Sequence, residues 1–174
     1  MSATELRARG EGATTREPTA WTQPLRRATA AFLVVFAAWQ LVTNAVLVRE
    51  ADLERTLRAT NPTLTADDVH GPAMQYYTIS VVVVAVIAGA LLLLALGSLR
   101  GWRWAFWLDL AVLALMSVTI LTNALALANP GVQALPSAAI AVNLLVAVVA
   151  LGLLIWFIAA AVRYGPWATR RPGT

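Results

Sequence analysis

Four long apolar runs constrain the fold of this chain more than any other feature. Each contains few or no charged residues, and they occupy residues 28–48, 78–99, 104–128 and 137–162. A helix needs roughly 20 residues to cross a hydrocarbon core of ~30 Å, so each run is long enough to span a membrane. The sequence therefore predicts an all-α polytopic membrane protein built as a bundle of four transmembrane helices.

Composition agrees with that prediction. The 174 residues are 59% hydrophobic and 13% charged, whereas soluble domains average about 45–50% apolar and about 25% charged residues. We therefore predict a membrane domain over residues 28–162, interrupted by an outer loop at 49–77. A disordered N-terminal tail (1–27) and a C-terminal tail (163–174) flank it. The build is similar to that of many small four-span bacterial membrane proteins, a similarity that implies no particular activity.

Arginine placement predicts the orientation. All 13 basic residues are Arg; ten lie in the two tails and in the turn between spans two and three, and three lie in the outer loop. Positively charged residues favour the cytoplasmic side, so we expect a multi-pass protein of the cell membrane with both termini in the cytoplasm. Because these Arg residues flank the spans, they give no reason to expect a nucleic-acid partner.

The outer loop carries its own pattern. Leu53 and Leu57 lie four residues apart, and Glu54 precedes Arg58 by four, which predicts a short extracytoplasmic amphipathic helix. The pair Gly71-Pro72 predicts a break before span two.

Signals for catalysis are nearly absent. The chain has no cysteine and a single histidine, His70, close to Asp67 and Asp68. A metal site needs three or four ligands in fixed geometry, and this cluster has no second set of ligands, so we expect no metal. No phosphate-binding loop, nucleophile elbow or zinc-helix motif occurs. We expect neither a cofactor nor an enzymatic activity.

A repeated polar face is the main candidate site. Gln40, Thr43 and Asn44 share one helical face, and the same spacing recurs 79 residues later. Asn143 and Tyr77 are expected at a similar depth. The full candidate set comprises Gln40, Thr43, Asn44, Tyr77, Thr119, Thr122, Asn123 and Asn143. Two interpretations stay open: hydrogen bonds that pack the helices together, or a polar pocket in the outer half of the bundle.

Asp109 is the one acid inside a predicted span. Such residues are costly in a membrane and are candidates for function. Its depth favours a structural ion pair with Arg26, Arg27 or Arg163, and the alternative is a role in proton or substrate handling.

Two functions follow from these observations. The first is a non-catalytic accessory or scaffold component, surrounded by the lipid bilayer, that acts through helix and outer-loop contacts with a membrane-protein partner or a homo-oligomer. The alternative is a protein that binds or transports a small molecule or lipid through the polar pocket.

Overall fold

The computed structural model describes residues 17–47, 54, 57, 61, 63, 66–128 and 136–170. Within them four helices are long and apolar enough to cross a membrane. They are α1 (Thr22–Val42), α2 (Ala66–Arg100), α3 (Arg103–Ala128) and α4 (Ser137–Tyr164). In apolar surroundings a helix is favoured because it satisfies its backbone hydrogen bonds internally.

Shorter elements lie at the helix ends. A π-helical turn, Thr43–Leu47, continues α1, and a 3₁₀ turn, Pro166–Ala168, follows α4. Two-residue strands β1 (Glu17–Pro18) and β2 (Thr169–Arg170) pair antiparallel. The two tails therefore meet at one end of the bundle, called here the tail end. The opposite end, where α1 finishes and α2 starts, is called the loop end.

Glycines shape the turns at the tail end. Gly101 adopts φ 70°, its N–H donates to the Ser98 carbonyl over 3.0 Å, and the Trp102 N–H donates to the Gly97 carbonyl over 2.9 Å. This pattern is a Schellman motif, which ends α2 and turns the chain directly into α3. Gly165, with φ 85°, ends α4, and its N–H donates to the Ala161 carbonyl over 2.8 Å.

The helices pack as two pairs, α1 with α2 and α3 with α4. Contacts between the pairs are far fewer. An aromatic cluster in the core lies at the tail end, where the ring of Phe106 lies 4.8 Å from that of Phe157 and 5.6 Å from that of Trp167. The structure thus resembles two hairpins joined most firmly beside the tails.

Side-chain bonds fix the tails to each other. The hydroxyls of Thr19 and Thr22 donate to the Ala168 carbonyl over 2.7 and 2.8 Å. The indole of Trp167 donates to the Trp102 carbonyl over 2.9 Å. Trp167 and Ala168 both adopt positive φ, at 59° and 51°. Non-glycine residues hold such a conformation only where their surroundings enforce it, and these bonds supply that constraint.

The tail boundaries differ from the prediction. Residues 17–27 contain β1 and the start of α1, so the prediction of a disordered tail over 1–27 is wrong for this part; residues 1–16 lie outside the described residues. Long-range pairing with β2 explains the difference, because local composition does not reveal a partner 150 residues away.

The second helix also differs from the prediction. It begins at Ala66, so part of the predicted loop 49–77 is helical and Gly71-Pro72 does not break the chain. Val69 and Ala73, four residues apart, are both fully buried, and their burial stabilises this first part of the helix. Of the predicted amphipathic segment only Glu54 and Leu57 are described, so that helix stays a prediction.

Candidate binding pocket

A pocket of about 260 Å³ lies in the half of the bundle toward the loop end, between the two helix pairs. It is lined by one helix of the first pair and both helices of the second. The lining residues are Phe36, Gln40, Met116, Thr119, Thr122, Asn123, Asn143 and Val146. Five of them belong to the predicted polar set, and none carries an ionisable group.

Helical spacing positions these side chains. Phe36 and Gln40 lie one turn apart on α1, and Thr119 and Asn123 lie one turn apart on α3. Asn143 lies six residues after the start of α4, about 9 Å from its loop end at the helical rise. Since α1 and α3 run in parallel and α4 runs opposite to both, all three helices place polar groups at the same level.

A hydrogen bond crosses from one helix pair to the other beside the pocket. The indole N–H of Trp39 donates to Oδ1 of Asn143 over 2.7 Å. Sequence reasoning missed Trp39, although a Trp in the middle of an apolar run needs a partner for its N–H. Because an indole only donates, the oxygen of the Asn143 amide is fixed as the acceptor.

The polar groups of α3 bond to their own helix. The Thr119 hydroxyl donates to the Met116 carbonyl over 2.7 Å, and both the Thr122 hydroxyl and the Asn123 amide donate to the Thr119 carbonyl over 2.9 Å. Gln40, across the pocket, makes no side-chain hydrogen bond to the described residues. Hydrogen-bonded packing between helices therefore does not account for these four side chains.

The remaining three residues of the predicted polar set do not line the pocket: Thr43, Asn44 and Tyr77. The Asn44 amide donates to the Ser80 hydroxyl over 3.4 Å, and that hydroxyl donates to the Tyr77 carbonyl over 2.8 Å. This contact joins α1 to α2 within one pair. Thr43 is buried, and its hydroxyl has no partner among the described residues. The repeated polar face therefore does not form one continuous site on the first helix. Gln40 lines the pocket, whereas Asn44 contacts the neighbouring helix of its own pair.

Asp109 lies at the tail end, away from the pocket. It is fully buried, and the Ser98 hydroxyl donates to its Oδ2 over 2.6 Å. Its Oδ1 has no partner among the described residues, and none of the predicted Arg partners forms an ion pair with it there. The sequence indicated the wrong partner because Ser98 becomes a neighbour only through the tight turn at Gly101.

His70, for which the sequence predicted no metal-binding role, lies beside an acidic side chain. His70 Nδ1 lies 2.9 Å from Oε1 of Glu54 at the loop end. Within the described part of the chain, no three His, Cys, Asp or Glu side chains are grouped so that they would hold a metal.

Comparison with known proteins adds no functional assignment. The chain matches no protein-family model, and no curated protein or solved structure matches it at a significant level. A function for this chain has to be argued from the pocket itself.

Proposed function

We propose that this chain is a multi-pass protein of the cell membrane that binds a small ligand in the pocket between its two helix pairs. The observation that carries this proposal is the convergence of five uncharged polar side chains from three helices around one space. Gln40 is partly buried and has no hydrogen-bond partner among the described residues, so its amide is available to a bound ligand.

The pocket lies between the two helix pairs, which contact each other far less than the helices within a pair do. The helix pairs contact each other mainly at the tail end, so their separation near the loop end leaves room between them. Ligand sites in helical proteins commonly lie between helices and combine apolar walls with a few polar groups. Phe36, Met116 and Val146 provide the apolar part here.

Native mass spectrometry of protein purified in mild detergent tests the proposal. We expect a co-purifying molecule in the wild-type protein and its loss in Gln40→Leu. Gln75→Leu is the matched control, because Gln75 is an exposed residue of α2 outside the pocket. Absence of any bound molecule in the wild type, or equal retention in both variants, would contradict the proposal.

The proposed orientation places both tails in the cytoplasm, on the strength of the Arg distribution. Because the chain has no native cysteine, single substitutions report on it directly. A membrane-impermeant maleimide on intact cells should label Asn61→Cys and leave Glu17→Cys unlabelled until the membrane is opened. The reverse labelling pattern would overturn the orientation.

An accessory or scaffold role is the second candidate. It is favoured by open space at Gly89 on α2 and Gly152 on α4, where an added Cβ would meet nothing within 4 Å. Small residues on a helix surface allow a second helix to approach closely. If a homo-oligomer or partner complex uses these faces, Gly89→Leu should dissociate it on size-exclusion chromatography, whereas Gly89→Ala, which keeps a small residue, should not.

A further inference from the structure

The hydrogen-bonding groups of the pocket are of two kinds. Since the Asn143 oxygen accepts from Trp39, the two N–H groups of its amide are left to donate. Gln40 adds an amide in which neither the oxygen nor the nitrogen has a partner among the described residues. One wall, formed by α1 and α4, therefore offers N–H donors from both amides and a single acceptor, the Gln40 oxygen.

The opposite wall offers mainly acceptors. Thr119 and Thr122 each use their single hydroxyl proton on a backbone carbonyl, which leaves only oxygen lone pairs for a ligand. Asn123 uses one N–H of its amide in the same way and leaves its oxygen and its second N–H free. A ligand group that both donates to α3 and accepts from α1 and α4, as a hydroxyl does, is matched to both walls.

Charge is the third constraint. None of the eight lining residues is ionisable. A charged ligand group would have to leave water without a counter-charge, which is far more costly than moving a neutral hydroxyl that keeps its hydrogen bonds. The pocket is therefore matched to a neutral group.

Size sets the last constraint. The pocket volume of about 260 Å³ lies a little below the range of roughly 300–1,000 Å³ for pockets that bind drug-sized ligands. We propose that the pocket binds an uncharged polyol group of the glycerol type, either free or as the headgroup of a neutral lipid whose acyl chain leaves between the helix pairs. The assignment rests on the proposed binding function and specifies its ligand class.

Phosphatidylcholine nanodiscs containing the full chain allow a direct test by titration, with bound ligand counted by native mass spectrometry. The probes are glycerol, 1-oleoylglycerol and 1-oleoyl-lysophosphatidic acid, which shares the chain and the glycerol but adds a charged phosphate. We expect 1-oleoylglycerol to bind at least about tenfold more tightly than the phosphate analogue. Glycerol binding as tightly as 1-oleoylglycerol identifies a free polyol as the ligand, and weaker glycerol binding identifies the lipid.

A matched pair of variants assigns the binding to this pocket. Thr122 and Thr78 each donate to a carbonyl of their own helix over 2.9 Å, but only Thr122 lines the pocket. Thr122→Val should weaken 1-oleoylglycerol binding roughly three- to tenfold, and Thr78→Val should leave it unchanged. Equal effects of the two variants would overturn the assignment.

The outcomes separate the ligand class from the binding function. Tighter binding of the phosphate analogue would overturn the neutral class while leaving a functional pocket. If no probe binds and no molecule co-purifies with the protein, the proposed function fails together with the ligand class.

Discussion

The Trp39 indole N–H donates a hydrogen bond of 2.7 Å to the Asn143 amide oxygen. This bond connects the two helix pairs in the half of the bundle toward the loop end. The same amide lines the pocket. The amide that joins the pairs in this half of the bundle therefore also has N–H groups available to a ligand.

Trp39→Phe tests this connection. It keeps an aromatic ring but leaves the Asn143 oxygen without its donor, so we expect the free energy of unfolding in detergent to fall by about 0.5–2 kcal/mol. Trp107→Phe is the control, because Trp107 is 60% exposed on the bundle surface. A double-mutant cycle with Asn143→Ala that gives no coupling energy would show that the bond contributes nothing.

The buried carboxyl group gives a second prediction. Ser98→Ala removes the one side-chain hydrogen-bond partner of Asp109 among the described residues and leaves a fully buried acid unsatisfied. We expect a loss of about 1–3 kcal/mol in the free energy of unfolding. Ser117→Ala, which removes a hydroxyl that bonds only to the Leu113 carbonyl of its own helix, should cost much less. Similar losses in the two variants would argue against a special role for the Ser98–Asp109 pair.

The turn between α2 and α3 predicts opposite effects for two Gly→Ala variants. In Gly101→Ala the residue would have to keep a left-handed backbone conformation, and its Cβ would collide with the Arg26 guanidinium. This variant should therefore destabilise the protein by at least about 1–2 kcal/mol. At Gly152, inside α4, a Cβ meets nothing within 4 Å, and Ala should stabilise by about 0.5–1 kcal/mol. Thermal melting checks both, and the same sign for both would contradict this account.

Two buried threonines on α1 give a fourth prediction. Thr22 donates to the Ala168 carbonyl, whereas the equally buried Thr29 hydroxyl has no partner among the described residues. Thr22→Val should therefore cost about 1–2 kcal/mol of unfolding free energy, and Thr29→Val should be neutral or stabilising. If Thr29→Val proves the more damaging variant, the tail contact is not what holds α1 in place.

The long apolar runs made the four helices predictable, because hydrophobic length is a local property of the sequence. The pairing of the tails was not predictable, since it depends on Thr19 and Thr22 reaching Ala168 across the whole chain. The start of α2 was misjudged because burial of Val69 and Ala73 outweighs the helix-breaking tendency of Pro72.

The candidate site was predictable in part. Identical spacing placed Asn44 and Asn123 on equivalent faces of parallel helices, and sequence alone treats them as equivalent. Packing separates them, since Asn44 contacts Ser80 of α2 while Asn123 lines the pocket. Which helices pair, and how each is rotated, decides this difference, and neither is encoded in the spacing.

This difference between two matched residues allows the most direct test of the central claim. The measurement is the dissociation constant of 1-oleoylglycerol for Asn123→Leu and for Asn44→Leu in nanodiscs. The account predicts binding that is weakened roughly three- to tenfold in Asn123→Leu and unchanged in Asn44→Leu. Full affinity in Asn123→Leu, or an equal loss in both variants, would contradict it.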